Sequence, residues 1–370
     1  MEKLFNQLIR ADYKFPHLLS DKRGLKELHK LLVTAYNDCD SVKYDVYLQH
    51  DLPKLPQQHP SKYFPSEIQK LISNQSRSCS RIEFRTPKRR ITLDFVFMKN
   101  DSYSDFSLKK YIPCLQLWFS LLDNVTRDDS INQTLNIVIY LTGERKTFPE
   151  TENEILSSKH INSALTYICQ KHGDIMIYRK EEWFKVLLHE CMHSYCLDFS
   201  NHSQQELNSC LQKTLPIQIN DPHYSETYAE VWAELLNIGI LSFSEKWHLF
   251  SLRYEFYLQL EVVHSISKFN TILTREGLSV ATLREKKHLN QETHVYEYHI
   301  LKTILLYSAG NFLNWCLKNN GPSLIPFRGT MISFCKLIND CYEEPNFSSY
   351  VITIGSNFNS KSLRMSICEV

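Results

Sequence analysis

The chain has 370 residues, 43% hydrophobic and 12% aromatic, enough to bury a sizeable core in one large domain or two smaller ones and too apolar for a disordered chain. Its 42 basic and 41 acidic residues leave a formal charge of +1, which gives no molecule-wide field to hold nucleic acid or an anionic membrane surface. No apolar run approaches the roughly 18 residues of a membrane span. The N-terminus MEKLFNQLIRADYK lacks the order of a signal peptide and the 11 cysteines form no Cys-x-x-Cys pair, so a soluble, reduced, cytoplasmic protein is expected.

Residues 1–80 read as a mainly helical accessory region. Apolar residues recur at helical spacing in Gly24–Asn37 and Pro65–Gln75, on either side of a proline-containing link. Residues 81–200 hold the strand signals. RIEFR and ITLDFVFM alternate around TPKRR, which predicts a hairpin and puts Lys88, Arg89 and Arg90 at a turn where water solvates their charge. A helix over Asp105–Asn124 is expected to kink near Pro113. The β-branched run Leu135–Gly143 predicts a strand buried on both faces. NSALTYICQ and DIMIYR, joined by KHG, predict a second hairpin, with DIMIYR as an edge strand. Residues 201–370 read as a mainly helical subdomain.

After the second hairpin, KEEWFKVLLHECMHSYCLDF has helical spacing. Residues i and i+4 share one helix face, so His189 and His193 can converge on one divalent ion. Glu190 projects about 100° away, off the ion but near the water it would carry, where a general base belongs. The flanks of this pair are uncharged, unlike those of a solvent-exposed helix. Cys191 and Cys196, beside the pair, are expected to pack as small apolar residues.

Catalytic zinc usually takes three protein ligands, and the third is sought in SETYAEVWAELLN. Asp221 and Pro222 suit an N-cap and first turn, placing Glu226 in the second turn. Glu226, Glu230 and Glu234 recur every four residues with Ala229 and Ala233 between them, a stripe another helix can approach closely. No lysine or arginine lies between Asp221 and Ser244, so an external cation would relieve the repulsion. Two frames remain open: Glu226 as ligand with Glu230 orienting a histidine ring, or Glu230 as ligand with Glu234 behind it.

These residues resemble the gluzincin zinc metallopeptidases, whose signature is His-Glu-x-x-His on one helix and a glutamate ligand on a later one. ETYAEVWA looks like the Glu-x-x-Ala-Asp pattern of some of these families, with Glu230 in place of the aspartate. The run from NSALTY to VLLHECMH also resembles uncharacterised zincin-like proteins of large DNA viruses. The resemblance covers roughly residues 162–237. It implies an α+β, zincin-like fold: a small mixed sheet with an edge strand beside the cleft, the histidine helix beneath the metal, and a helical subdomain carrying the glutamate. It implies Zn2+ held by His189, His193 and Glu226, with Glu190 as general base and a peptide or protein as substrate. An oxyanion donor is sought in THVYEYH among His294, Tyr296, Tyr298 and His299, with Tyr298 and His299 preferred, ahead of His223 and Tyr224. The alternative is a catalytically inactive zincin-fold binding or scaffold protein.

Overall fold

The computed structural model describes residues 18–55, 63–99, 108–151, 154–215, 217–219, 221–285, 287–289, 291–355 and 361–370. The N-terminal stretch MEKLFNQLIRADYK lies outside them. The fold is mixed α+β, with a six-stranded mixed sheet and a large helical portion.

The sheet contains β1 (Lys43–His50), β2 (Ser76–Arg85), β3 (Arg90–Met98), β4 (Thr134–Tyr140), β5 (Ala164–Thr166) and β6 (His172–Ile177), in the spatial order β1-β2-β3-β4-β6-β5. β1, β2 and β3 are antiparallel, β3, β4 and β6 run parallel, and β5 turns back antiparallel on β6. Both expected hairpins form. The edge beside the helices is β5, however, and β6 is interior. DIMIYR is too apolar for an edge, and Ile175, Met176 and Ile177 are all buried. The 1–80 stretch is not purely helical, because its β1 extends the sheet.

Alternation sets the two faces of the sheet. Leu93, Phe95, Leu135, Ile137, Ile139, Ile175 and Ile177 enter the main core. There they meet α1 (Arg23–Asn37), α3 (Ile112–Val125) and the histidine helix. Val96, Met98, Tyr140 and Met176 point the other way, into a smaller cluster with Phe64 and with Ile68 and Ile72 of α2 (Ser66–Gln75). β4 is therefore covered fully on one face only, with Asn136 exposed and Val138 half-buried on the other. Pro113 starts α3 instead of kinking it, since a missing N–H costs nothing in a first turn. Residues 105–107 of the expected helix lie outside the described residues.

The basic turn is only partly solvated. Arg89 is buried and its Nη1 donates to Asp123 Oδ1 at 2.5 Å, with Nε on the Ile131 carbonyl at 3.1 Å. Lys88 reaches the Asp123 carbonyl and Asp129, and Arg90 stays exposed. The hairpin turn folds over the end of α3, where Asp123 needs a cation.

The cysteines are not all unpaired. Cys169, in the β5–β6 loop, joins Cys196 just after the histidine helix (Cα–Cα 5.1 Å), and Cys210 joins Cys335 (6.3 Å). Sequence spacing carries no information about such tertiary pairs. Cys191 is a free, fully buried thiol, pushed up to about 12 by burial, and packs as expected. No helix among the described residues is long and apolar enough to cross a membrane.

Breaking a buried ion pair by removing one partner strands the other charge. Arg89→Met should therefore lower unfolding stability by about 3–5 kcal/mol, measured by denaturant unfolding.

Candidate metal centre

The histidine helix is α5 (Trp183–Ser194), preceded by the single turn α4 (Ser158–Ile161). All twelve residues of α5 are buried. It packs along α7 (Ser225–Leu241), which follows α6 (Gln205–Thr214). Ala229 and Ala233 are fully buried, as the small-residue stripe predicts. Asp221 does not cap α7. Its φ of +50° turns the chain, and the helix begins at Ser225, so Glu226 falls in the first turn.

His189 Nε2, His193 Nε2 and Glu226 Oε2 form a nearly equilateral triangle. The two nitrogens are 3.1 Å apart, and Glu226 Oε2 is 3.2 Å from His189 and 3.3 Å from His193. Ligands held about 2.0–2.1 Å from a tetrahedral zinc stand roughly 3.3 Å apart, so the donor set fits that ion in type and spacing. Among the described residues this is the group of histidine and carboxylate side chains that could hold a metal.

The far sides of both rings face carboxylates. His193 Nδ1 lies 2.5 Å from Asp198 Oδ2. His189 Nδ1 lies 2.9 Å from Glu230 Oε2, an ion-pair approach out of line with the ring N–H. A proton on each Nδ1 leaves both Nε2 lone pairs pointing at each other and at a carboxylate oxygen, an arrangement only a cation or further protons can hold together. Burial alone would depress both imidazoles. For His193, Glu226 and Asp198 outweigh it and hold the ring well above its ordinary pKa. The Glu226 and Glu230 carboxylates do the same more modestly for His189.

Asp198 is missed by sequence reading because the helix was expected to continue to Phe199, which would turn Asp198 to another face. The helix instead ends at Ser194. Cys196, with φ +53°, reverses the chain and brings Asp198 back beneath His193, where Ser200 fixes its other oxygen at 2.8 Å.

The carboxylate stripe is divided by cations from other helices. Lys185, one turn before His189, pairs with Glu230 and stands 4.0 Å from Glu234. Lys302 donates to Glu234 at 3.1 Å. The expectation that an external cation must relieve all three glutamates is therefore corrected: Glu230 and Glu234 have lysine partners, and Glu226 is the one turned to the Nε2 atoms of both histidines. Glu234 is pushed up to about 8, chiefly by burial and further by Glu261 and Glu230 against the pull of Lys302.

Glu190 is buried beside the triangle, its pKa raised by burial against the pull of His189 and His193. Tyr298 donates its hydroxyl to Glu226 Oε2 at 2.9 Å, and its ring centre is 5.8 Å from that of His189. It sits in a π-helical turn, Tyr296–Leu301, leading into α9 (Lys302–Tyr307). His299 is not brought to the triangle. It is buried beside Lys302, and burial with that charge holds it well below its ordinary pKa. His294 packs between His223 and Tyr298, with ring centres 4.8 and 5.9 Å away, while Tyr224 is turned aside to Asn208.

No protein family, curated protein or solved structure matches the chain.

Were zinc held by this triangle, Asp198→Ala and Glu230→Gln would each be expected to weaken its binding roughly 10- to 100-fold in chelator competition, because each frees a ring to turn. Protons and a cation compete for the same Nε2 lone pairs, and the metal-free rings hold their protons above the ordinary histidine range. Apparent zinc affinity should accordingly rise with pH and be weaker at about pH 6 than at about pH 8 in the same titration.

Proposed function

We propose that the chain is a zinc-dependent peptidase of gluzincin type, with His189, His193 and Glu226 holding the ion. The observation that carries this reading is the triangle of three donor atoms 3.1–3.3 Å apart, each ring backed by a carboxylate. Its surroundings support the same reading. A short antiparallel edge strand, β5, leads away from Asn162 and Ser163 at the cavity beside Glu190, and the glutamate comes from a later helix. Arg179, buried under this edge, donates to the carbonyls of Lys159 and Asn162 at 2.6 and 2.8 Å and holds the approach to β5 rigid. An extended peptide could add to such an edge through main-chain hydrogen bonds.

When bound, zinc supplies Lewis-acid polarisation of a carbonyl and lowers the pKa of water. Glu190 removes a proton from the attacking water and delivers it to the leaving amine. Burial raises its pKa, which makes it a stronger base than an exposed carboxylate. Tyr298 is the oxyanion donor, its hydroxyl already directed at the cluster through Glu226. Glu230 and Asp198 hold the two rings in place, and Lys185 keeps Glu230 charged.

The test is metal content and cleavage of a peptide library by the wild type, Glu190→Gln and Tyr298→Phe. Glu190→Gln should retain zinc and lose cleavage. Tyr298→Phe should lower kcat by about 10²–10³ with little change in metal content. A wild type without zinc, or undiminished cleavage by Glu190→Gln, would overturn the reading. Zinc binding with no hydrolysis would favour the scaffold alternative.

A further inference from the structure

We infer that the cavity beside Glu190 receives one side chain of the peptide, on the residue flanking the cleaved bond, and admits only a small one there, such as that of alanine or serine. This rests on the peptidase reading above. The cavity is bordered by His189, Glu190 and Tyr298 and measures about 40 Å³. A water needs roughly 10–15 Å³, so there is room for about three waters, or a side chain of up to about three non-hydrogen atoms, too little for leucine or phenylalanine.

The walls cannot easily withdraw. Ile161 and Val186 belong to the core. Met365 is fixed through its backbone: its N–H lies 2.9 and 3.0 Å from the two oxygens of buried Glu182, and its carbonyl accepts from Lys302 Nζ at 3.0 Å. Its sulfur rests 3.8 Å from Lys185 Nζ.

An acidic side chain finds no free cation there. The two lysines at the cavity, Lys146 and Lys185, are committed to Glu182 and Glu230. Ser163, 5% exposed, borders the cavity, and its buried hydroxyl has no hydrogen-bond partner among the described residues. A buried hydroxyl left unpaired costs about 1–3 kcal/mol, so it favours a ligand that can hydrogen-bond to it. A serine side chain is both small enough and polar enough.

The experiment is calorimetric binding of peptide hydroxamates to the zinc-loaded protein, the probes differing only in the side chain next to the hydroxamate. Glycine, alanine and serine probes should bind at least about 10-fold tighter than leucine and phenylalanine probes, the scale set by burying versus excluding a side chain. Met365→Ala should narrow that gap by admitting leucine, and Ser163→Ala should remove any preference for serine over alanine. Equal or tighter binding of the large probes by the wild type, or no binding of any probe, overturns the inference. Because binding needs no turnover, the two readings separate. Discrimination without hydrolysis supports the pocket and removes the peptidase, whereas hydrolysis without discrimination does the reverse. The wild-type series is decisive even if a variant fails to fold.

Discussion

The ion pair between Lys185 and Glu230, buried between α5 and α7, is the constraint from which the site follows. Three glutamates one turn apart on a buried helix cannot all remain charged without partners. Lys185 and Lys302 engage the second and third, leaving Glu226 to face the histidines. The same pair fixes the rotation of α5 against α7, and Ala229 and Ala233 let the helices come close enough for it to form. The choice between Glu226 and Glu230 thus depends on a lysine four residues before the first histidine.

Around that contact, buried polar groups of the histidine helix and of the C-terminal segment are tied to distant partners. Ser194 is tied to Asn132 on the sheet side at 2.9 Å. Glu182, at the N-cap of α5, takes Lys146 and the backbone of Met365 and Ser366. Glu261, on α8 (Trp247–Arg275), accepts from the N–H groups of Ile367 and Cys368 at 3.0 and 2.7 Å. The segment before Val370 is consequently part of the interior, stitched to two carboxylates from different helices. The buried charges form one continuous set behind the candidate site, so a change at Lys302 or Glu261 is felt at Glu230 through shared partners.

Much of the core of the site was legible in the sequence, because local periodicity determines it. The four-residue spacing of His189 and His193, the neighbouring Glu190, and the small residues beside Glu226 are properties of single helices. The hairpins were legible for the same reason. What was hidden depends on tertiary placement. Asp198 reaches His193 only because the helix ends five residues early and the chain reverses at Cys196. Lys185 looked like an ordinary helix residue, and Glu230 and Glu234 looked unpaired because their cations lie far away in sequence. The interior place of β6 could have been read from its apolar run, whereas the short edge strand β5 carries too few residues for a periodic signal. Arg89 reads as a solvated turn residue in the sequence because its partner, Asp123, belongs to the end of another element.

One local irregularity has a larger effect than its size suggests. Tyr298 projects to Glu226 from a π-helical turn, which holds one residue more than the corresponding stretch of α-helix. The extra residue is a register device. Were the turn to tighten into α-helix by losing one residue, the chain before the missing position would rotate by about 100° relative to α9. Tyr298 and the adjoining His299 could then no longer keep their present separate destinations, one at the cluster and one in the buried charge behind it. A single-residue deletion in this turn is thus a route by which the same fold and the same three donor atoms could persist with a different chemical group presented to them.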